Sequence, residues 1–483
     1  METLSYKLLK ETNSKDYYLE NAPERVIQFG EGNFLRAFVD DFFDLANEQS
    51  GFNGKIVVVT PIHGPMQEKF ESQDCLYTLY LRGMVDGEKV ENRRLISAIS
   101  RILDATTQFD KVLECAVNPD IKFIVSNTTE AGIAFKDSDK FDDPENSSYP
   151  AKLTRFLLKR YEECGKENAP GFVLLPCELI EENGKNLKKC ILQYCDLWNL
   201  DNNFKNWIND KNAFCSTLVD RIVPGYPKDD VDRYTNENGY NDQILDAAEP
   251  FGFWAIEGDE KLNDVLPFMK AGLPILVTPD ITFYKKRKVW VLNGGHTSMT
   301  TAALLSGLET VGECMADQDV SSFIKKAIYE EIIPAAPLDT NELTKFADSV
   351  MDRFKNPFIR HLLMSISLNT TSKWKARVLP SLHHYVDKFN KLPRALVFGY
   401  TCNLLFGISG KFEVKDDKEV LDFFEANKNK PVEELAKAYT TNTEFWGENL
   451  DEINGFTNAV VENIKTINEL GPREALKKVL INE

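Results

Sequence analysis

The chain has 483 residues, of which 43% are hydrophobic and 27% charged. It is therefore long enough for at least two domains and far from the composition of disordered proteins. Its 57 lysines and arginines stand against 75 aspartates and glutamates, which gives a formal net charge of -18. That sign opposes binding to nucleic acid or to an anionic membrane, so we expect a folded acidic protein whose partner is a small molecule.

Targeting and redox signals are weak. The first residues carry no basic segment followed by an apolar run, and no window approaches the roughly 18 apolar residues of a membrane span. These features predict a cytoplasmic protein. Nine cysteines lie scattered between Cys75 and Cys402, none of them at C-x-x-C spacing. We expect reduced thiols that mostly fill the core.

Short apolar runs rich in β-branched residues alternate with helical periodicity in the first half of the chain. Buried strands are predicted at Arg25–Phe29, Lys55–Val59, Ile121–Val125, Gly171–Leu175 and Pro274–Thr278. Alternating strands and helices are typical of a mostly parallel sheet covered by helices. The fold class is therefore α/β, with a Rossmann-like N-terminal domain.

After about residue 283 the strand signal fades and helical periodicity dominates. Helices are predicted over 298–311, 320–332, 340–353, 357–368, 394–406, 417–427 and 455–469. We predict two domains, a Rossmann-like domain over 1–282 and a mostly α-helical domain over 283–483.

The first predicted strand runs directly into residues 30–36, Gly-Glu-Gly-Asn-Phe-Leu-Arg, and a helical pattern follows. In a dinucleotide-binding turn the first glycine permits the bend, the second lets the pyrophosphate approach, and the helix N-terminus offers free N–H groups. Gly30 and Gly32 match this pattern, whereas Leu35 occupies a third position that is normally small. Arg36 would add a positive charge near the phosphates. An ordinary glycine turn is the alternative.

The end of the second predicted strand is less informative. Residues 57–61 read Val-Val-Val-Thr-Pro, without the acid that holds ribose hydroxyls or an arginine for a 2′-phosphate. The residues alone leave the choice between NAD and NADP open.

The segment 285–296 carries the residues best suited to catalysis. At roughly 100° per residue, Asn293 lies about 140° and His296 about 80° from Lys288 around a helix, so all three can share one side. A lysine can transfer a proton, an asparagine amide can donate to an alkoxide, and a histidine can orient the same oxygen. The alternative is a solvated basic face followed by a glycine turn.

Other histidines give no sign of a metal site. His63, His361 and the pair His383 and His384 lack the spacing of zinc ligands. We predict an enzyme without a metal.

Together the two motifs resemble the polyol-specific long-chain dehydrogenases and reductases, a family that includes mannitol dehydrogenases and hexuronate reductases. The family motif G-x-G-x-F-x-R-A matches residues 30–37, and its K-x4-N-x2-H signature matches Lys288, Asn293 and His296. Further matches lie along nearly the whole chain, at Thr129-Glu130, Val219-Asp220-Arg221-Ile222, Glu249-Pro250-Phe251 with Trp254, and Ser372-Lys373.

The resemblance implies a metal-independent enzyme with a nucleotide-binding domain, a helical domain and an active site between them. Residues 28–38, 126–132 and 214–221 look like the branch of the family that uses NAD to reduce D-tagaturonate reversibly to D-altronate in hexuronate breakdown. By the same resemblance Lys288 is the general acid/base, Asn293 an oxyanion partner and His296 the residue that orients the reacting oxygen. The residues implied for the cofactor are Gly30, Gly32, Asn33, Phe34, Arg36, Thr129 and Glu130, and those for the substrate are Asp220, Lys373 and Arg360.

Two positions depart from the mannitol dehydrogenases. Leu179 follows the Cys177-Glu178 pair where those enzymes carry an asparagine, and Ser365 stands eight residues before Lys373 where they carry an arginine. These departures fit a substrate that ends in a carboxylate rather than a plain polyol.

A carboxylate calls for a cation, preferably one with forked donors. Lys373 is the first expected partner, followed by Arg360 and Arg377. The alternatives within the family are a fructuronate reductase and a mannitol dehydrogenase. Outside catalysis the alternative is a dinucleotide-binding regulator.

Overall fold

The computed structural model describes residues 1–61, 64–129, 131–143 and 145–481. They form two compact units, hereafter unit 1 (Met1–Arg82 and Val90–Ile281) and unit 2 (Gly83–Lys89 and Thr282–Glu483). The border after Ile281 lies next to the one predicted after residue 282. The short segment Gly83–Lys89 in unit 2 was not predicted.

The described residues form twelve strands in three sheets. Their bounds are β1 Glu24–Phe29, β2 Lys55–Thr60, β3 Tyr77–Val85, β4 Glu88–Ile96, β5 Ile99–Asp104, β6 Phe123–Ser126, β7 Val173–Pro176, β8 Ala213–Phe214, β9 Thr217–Asp220, β10 Asp246–Ala248, β11 Phe253–Glu257 and β12 Ile275–Thr278.

The largest sheet has the order β5-β2-β1-β6-β7-β8, and every neighbouring pair in it is parallel. From β1 the chain passes outward to β2 and β5, and then returns to β6 on the other side of β1. The carboxyl ends of β1 and β6 therefore flank a topological switch point, where open α/β sheets bind their ligands. The predicted parallel sheet is confirmed.

Strand residues alternate between two apolar cores, one on each face of this sheet. Val26 and Val58 belong to one core, and Ile27 and Val57 to the other. All four side chains are at most 1% exposed, and each such burial contributes roughly 1.5–3 kcal/mol. These continuous apolar runs explain why the strands were visible in the sequence.

Two smaller sheets were not predicted as such. β10, β3 and β4 form one, and β12, β11 and β9 form the other. The predicted strand at 274–278 exists as β12, but it pairs with β11 outside the main sheet.

The helices of unit 1 cover the main sheet and fill its connections. Their bounds are Tyr6–Glu11, Asn33–Leu35, Asp41–Ser50, Pro65–Glu71, Phe109–Ala116, Tyr149–Glu163, Asn183–Leu197, Asn202–Lys211, Val231–Asn238 and Leu262–Val265, with a π turn at Arg36–Asp40 and 3-10 turns at Lys166–Asn168, Lys228–Asp230 and Met269–Ala271.

Unit 2 is helical apart from the strand ends in Gly83–Lys89. Its helices are Thr282–Arg287, Gly294–Leu305, Val311–Ala316, Gln318–Lys325, Ile333–Ala335, Thr340–Phe354, Leu363–Ile366, Thr370–Arg377, Leu379–Phe389, Arg394–Ile408, Lys418–Asn427, Val432–Thr440, Thr443–Trp446, Phe456–Leu470 and Pro472–Leu480, with π turns at Lys288–Asn293 and Lys326–Ile332 and a 3-10 turn at Leu450–Glu452.

Most predicted helices of this half are confirmed, but the one over 357–368 is wrong. Only Leu363–Ile366 is helical there. Pro357 disfavours a helical conformation at Asn356, and the Asn356 side chain instead accepts a hydrogen bond from the Phe358 N–H at 3.0 Å. This local turn competes with the helix that the apolar spacing suggested.

All nine cysteines are free, and all but Cys164 are buried. Burial raises the pKa of thiols such as Cys177 and Cys195 above the usual range, which disfavours the reactive thiolate. None of the described helices is both long enough and apolar enough to cross a membrane.

Candidate active site

The glycine turn begins where β1 ends. Gly30 has φ of +122°, and a Cβ on it would lie 3.0 Å from Leu35 Cδ1 and 3.1 Å from the Asn127 carbonyl oxygen. Its N–H donates to the Val59 carbonyl at 2.9 Å, which ties the turn to β2. Only glycine fits this backbone and this space.

Gly32 sits in extended backbone directly before the helix, and a Cβ there would meet no atom within 4 Å. The backbone is thus open to a ligand, and the first N–H groups of the helix have no partner within it. Leu35, in the position that is normally small, is buried beneath the turn. Leu35, which departs from the sequence motif, is therefore a packing residue.

A cavity of about 580 Å³ opens at this switch point. It is lined by residues from the carboxyl ends of four neighbouring strands and from the helix Tyr149–Glu163, among them Gly30, Gly32, Val59, Pro61, Ala105, Asn127, Thr128, Thr129, Tyr149 and Lys152. A cavity of this size accommodates a large part of a dinucleotide.

The end of β6 is held in place by Glu178, which follows β7. The Glu178 carboxylate accepts hydrogen bonds from the Thr128 N–H and hydroxyl, both at 3.1 Å, and from the Ser126 hydroxyl at 3.1 Å. Burial raises the pKa of Glu178. Sequence reasoning noted the Cys177-Glu178 pair but missed this role, because the contact joins residues 50 positions apart.

Arg36 is not among the residues that line the cavity. Its guanidinium is buried, donates to the Ile244 carbonyl and, at 2.5 Å, to Asn33 Oδ1, and lies 3.4 Å from the Asp246 carboxylate. Asn33 in turn fills the space beside Gly225. These contacts secure the helix after the turn, and the charge of Arg36 also acts on Glu31, which lines the cavity.

A carboxyl group lies behind the turn. The Tyr77 hydroxyl donates to the Arg36 carbonyl at 2.7 Å and lies 3.3 Å from the Asp40 carboxyl, and the Gln28 amide donates to the Gly30 carbonyl at 3.2 Å. Burial raises the pKa of Asp40 to about 7. The same cause raises the pKa of Asp246 to about 7.

Two further predicted residues of unit 1, Phe34 and Asp220, are not among the residues that line the cavity. Phe34 stacks on Phe38 with ring centroids 5.0 Å apart. Asp220 ends β9, is buried, and pairs in register with Phe253 of β11. Thr129 lines the cavity, whereas Glu130 lies outside the described residues, as does His63.

In unit 2 the signature residues lie on one continuous helix interrupted by the π turn Lys288–Asn293. The Gly294 N–H donates to the Val289 carbonyl, five residues back. The extra residue in the π turn reduces the rotation around the helix axis between Lys288 and each later residue by one step of about 100°. Asn293 therefore lies about 40° from Lys288 instead of about 140°, and His296 lies about 20° from it instead of about 80°. The π turn thus aligns all three on one stripe.

His296 is the most buried of the three, at 6% exposure. Its ring stacks on Phe354 at 4.2 Å and meets His361 edge-on at 5.0 Å. Burial first, and then the charges of His361, Arg353 and Arg377, lower the pKa of His296 well below its usual value. The imidazole is thus neutral, and its Nε2 is both buried and without a hydrogen-bond partner among the described residues. Lys288 and Asn293 are half-buried.

The first two of the three expected substrate cations, Lys373 and Arg360, differ in burial. Lys373 is half-buried in the helix Thr370–Arg377 and donates to the Ile366 carbonyl at 3.0 Å. Burial and the neighbouring charge of Arg377 lower its pKa. Arg360 is 76% exposed and lies 3.6 Å from Glu309, so its charge faces solvent and a surface carboxylate.

Among the residues that the structure describes, no group of three or more histidine, cysteine, aspartate or glutamate side chains is arranged to hold a metal ion.

Two family models match the chain. The model of the mannitol dehydrogenase Rossmann domain matches residues 24–269, and that of the mannitol dehydrogenase C-terminal domain matches residues 280–468. A protein named altronate oxidoreductase from Enterobacter sp. (strain 638) is 42% identical over 97% of this chain and 99% of its own length. One of the same name from Bacillus subtilis (strain 168) is 40% identical over 97% and 98%.

Solved structures of similar fold include a substrate-free D-sorbitol dehydrogenase, with a TM-score of 0.80 and 21% identity over 99% of this chain and 100% of the other. A Pseudomonas fluorescens mannitol 2-dehydrogenase in ternary complex with NAD and D-mannitol has a TM-score of 0.70 and 21% identity over 99% of each chain. At this identity the likeness concerns the fold.

Proposed function

Since this chain belongs to the mannitol dehydrogenase family, we propose that it is an NAD-dependent oxidoreductase that interconverts D-tagaturonate and D-altronate. The observation that carries the proposal is its full-length similarity, at about 40% identity, to several proteins named altronate oxidoreductase. The intact Lys288, Asn293 and His296 set supports catalysis over a purely regulatory role.

The cavity of unit 1 fits a nicotinamide dinucleotide. Gly30 and Gly32 leave the turn bare, the helix N-terminus favours a pyrophosphate, and Thr128 and Thr129 border the same space. When bound, the nicotinamide supplies or accepts the hydride. The preference for NAD over NADP rests on the resemblance to NAD-dependent members of the family.

The residues of unit 2 handle the proton and the reacting oxygen. In reduction Lys288 donates a proton to the ketone oxygen as it becomes an alcohol, and in oxidation it accepts that proton. The Asn293 amide donates a hydrogen bond to the oxygen as negative charge develops. His296, neutral because it is buried, orients the same oxygen.

The proposal is tested by following the absorbance of NADH or NADPH with the purified protein. The panel contains D-tagaturonate, D-fructuronate and D-fructose. We expect the largest kcat/KM for D-tagaturonate with NADH. A larger value for D-fructuronate or D-fructose would assign the other activity of the family, and NADH binding without turnover on any of the three would contradict catalysis.

A further inference from the structure

We propose that Arg377 determines the preference for a sugar acid by binding the substrate carboxylate through its guanidinium. This inference rests on the proposed function, because it concerns the substrate of the same site. Arg377 lies outside the K-x4-N-x2-H signature. It is a better carboxylate partner than Arg360, whose side chain is 76% exposed.

Arg377 and Lys373 form a pair of cations on one helix. They stand four residues apart on Thr370–Arg377, so their side chains lie on one face, about one turn from each other. Both are half-buried, and burial lowers the pKa of each, with the charge of Arg377 adding to the effect at Lys373. Two like charges at this spacing destabilise the helix unless an anion lies between or beside them.

The protein does not supply that anion at ion-pair distance within the described residues. The charge of Asp416 acts on Lys373, but its carboxylate accepts the Thr371 N–H at 3.1 Å at the start of the helix. In a chain with 75 acidic and 57 basic residues, cations that are partly desolvated and lack a carboxylate partner are unexpected. A ligand carboxylate would complete the pair.

The last turn of this helix packs directly against the signature segment. A Cβ on Gly294 would lie 3.2 Å from the Arg377 carbonyl oxygen, and the charge of Arg377 is one of those that lower the pKa of His296. Arg377 is therefore a neighbour of the residues that hold the reacting oxygen. A six-carbon sugar acid carries its carboxylate only a few bonds from its ketone, so one substrate can reach both groups.

Arginine has the geometry for this task. Its planar guanidinium offers two parallel N–H donors that match the two oxygens of a carboxylate, whereas a lysine ammonium binds as a point charge. Lys373 already donates one hydrogen bond to the Ile366 carbonyl. Arg377 is thus the better carboxylate partner, and Lys373 supports it electrostatically.

The test compares Arg377→Gln, Arg377→Lys and Lys375→Gln with the unaltered enzyme. Lys375 is the matched control, because it is exposed on the same helix and lies about 200° around it from Arg377. For each protein kcat and KM are measured with D-tagaturonate and with its neutral analogue D-tagatose, the NADH affinity is measured by fluorescence titration, and folding is followed by the melting temperature.

Arg377→Gln should raise KM for D-tagaturonate about 10- to 100-fold, with kcat/KM for D-tagatose and the NADH affinity changed less than about threefold. Arg377→Lys should recover part of the loss, and so should millimolar guanidinium added to Arg377→Gln. Lys375→Gln should match the unaltered enzyme.

An unchanged KM for D-tagaturonate in Arg377→Gln would overturn the inference. So would an equal loss on both sugars without rescue, since that pattern indicates a structural role. Failure of the proposed function would look different, because the unaltered enzyme itself would then not turn over D-tagaturonate. If it preferred D-fructuronate, the same acid-to-neutral comparison would still decide the role of Arg377.

Discussion

The glycine turn of unit 1 and the π-turned helix of unit 2 are built in opposite ways. At the turn the functional feature is bare backbone, since Gly30 has no room for a side chain and Gly32 has open space where one would stand. On the helix the proposed functional feature is the set of side chains Lys288, Asn293 and His296, which one extra residue in the turn brings toward one stripe. Changes at the turn should therefore affect cofactor binding, and changes on the helix should affect turnover.

The largest effect is expected for Lys288→Ala. Loss of the proton-transfer group should lower kcat by about 10²- to 10⁴-fold in both directions of the reaction. Steady-state kinetics with D-tagaturonate and NADH measures it, and Lys286→Ala, which removes an exposed charge two residues away, is the control. Near-normal turnover of Lys288→Ala would remove this lysine from the chemistry.

Gly30→Ala should rank second. The new Cβ would press on Leu35 and on the Asn127 carbonyl in a left-handed backbone, so we expect KM for NADH to rise at least about tenfold while kcat at saturation changes little. Gly51→Ala is the matched control, because Gly51 also has positive φ, of 66°, but nothing within 4 Å of a Cβ. An equal rise in KM for NADH in both variants would refute the steric explanation.

Glu178→Gln should give a smaller effect of the same kind. The glutamine amide has the size of the carboxylate but only one acceptor oxygen in place of two. It therefore cannot accept all three hydrogen bonds that Thr128 and Ser126 donate to Glu178. Each hydrogen bond to a charged acceptor contributes about 1.5–3 kcal/mol, and part of that should appear as weaker NADH binding with kcat at saturation unchanged. If kcat fell instead, Glu178 would not act by positioning the cofactor loop.

The two regions should also differ in how stability depends on pH. The pKa of Asp40 is about 7 in the folded protein and 3.8 in the unfolded chain. Its contribution to the free energy of unfolding therefore declines as pH rises from about 4 to 7. The pKa of folded His296 lies well below 6.5, so the unfolded state takes up the proton first and stability declines as pH falls below 6.5.

These signs are measured by urea unfolding between pH 4.5 and 8 in a buffer series. Relative to the unaltered protein, Asp40→Asn should gain stability as pH rises, and His296→Asn should gain stability as pH falls. Each slope is at most about 1.4 kcal/mol per pH unit. Parallel slopes for the two variants would contradict the assignment of opposite protonation states.

Sequence patterns predicted best what short-range chemistry determines. Four strands of the main sheet, β1, β2, β6 and β7, and the turn at Gly30 were predictable because adjacent residues specify them, whereas β5 and β8 of the same sheet were missed. Arg36 shows the limit, since it lies beside the turn in sequence but donates to the carbonyl of Ile244, 208 residues further along. β4 was missed because most of its side chains are charged or polar and face solvent.

The alignment of Lys288, Asn293 and His296 was predicted from their spacing only in part. On a regular α-helix Asn293 and His296 would lie about 140° and about 80° from Lys288, and the π turn that brings them closer together left no signal in the residues themselves. The contact of Glu178 with Thr128 and the proximity of Arg377 to Gly294 depend on packing between distant elements. Neither was visible before the fold was known.

The central claim is that the glycine turn of unit 1 binds the cofactor and that Lys288 of unit 2 carries out proton transfer. It is tested most directly by titrating Lys288→Ala and Gly30→Ala with NADH and following protein fluorescence. We predict that Lys288→Ala binds NADH within about twofold of the unaltered protein despite its lost turnover, and that Gly30→Ala binds it at least about tenfold more weakly. Loss of NADH binding in Lys288→Ala, or unchanged binding in Gly30→Ala, would contradict the account.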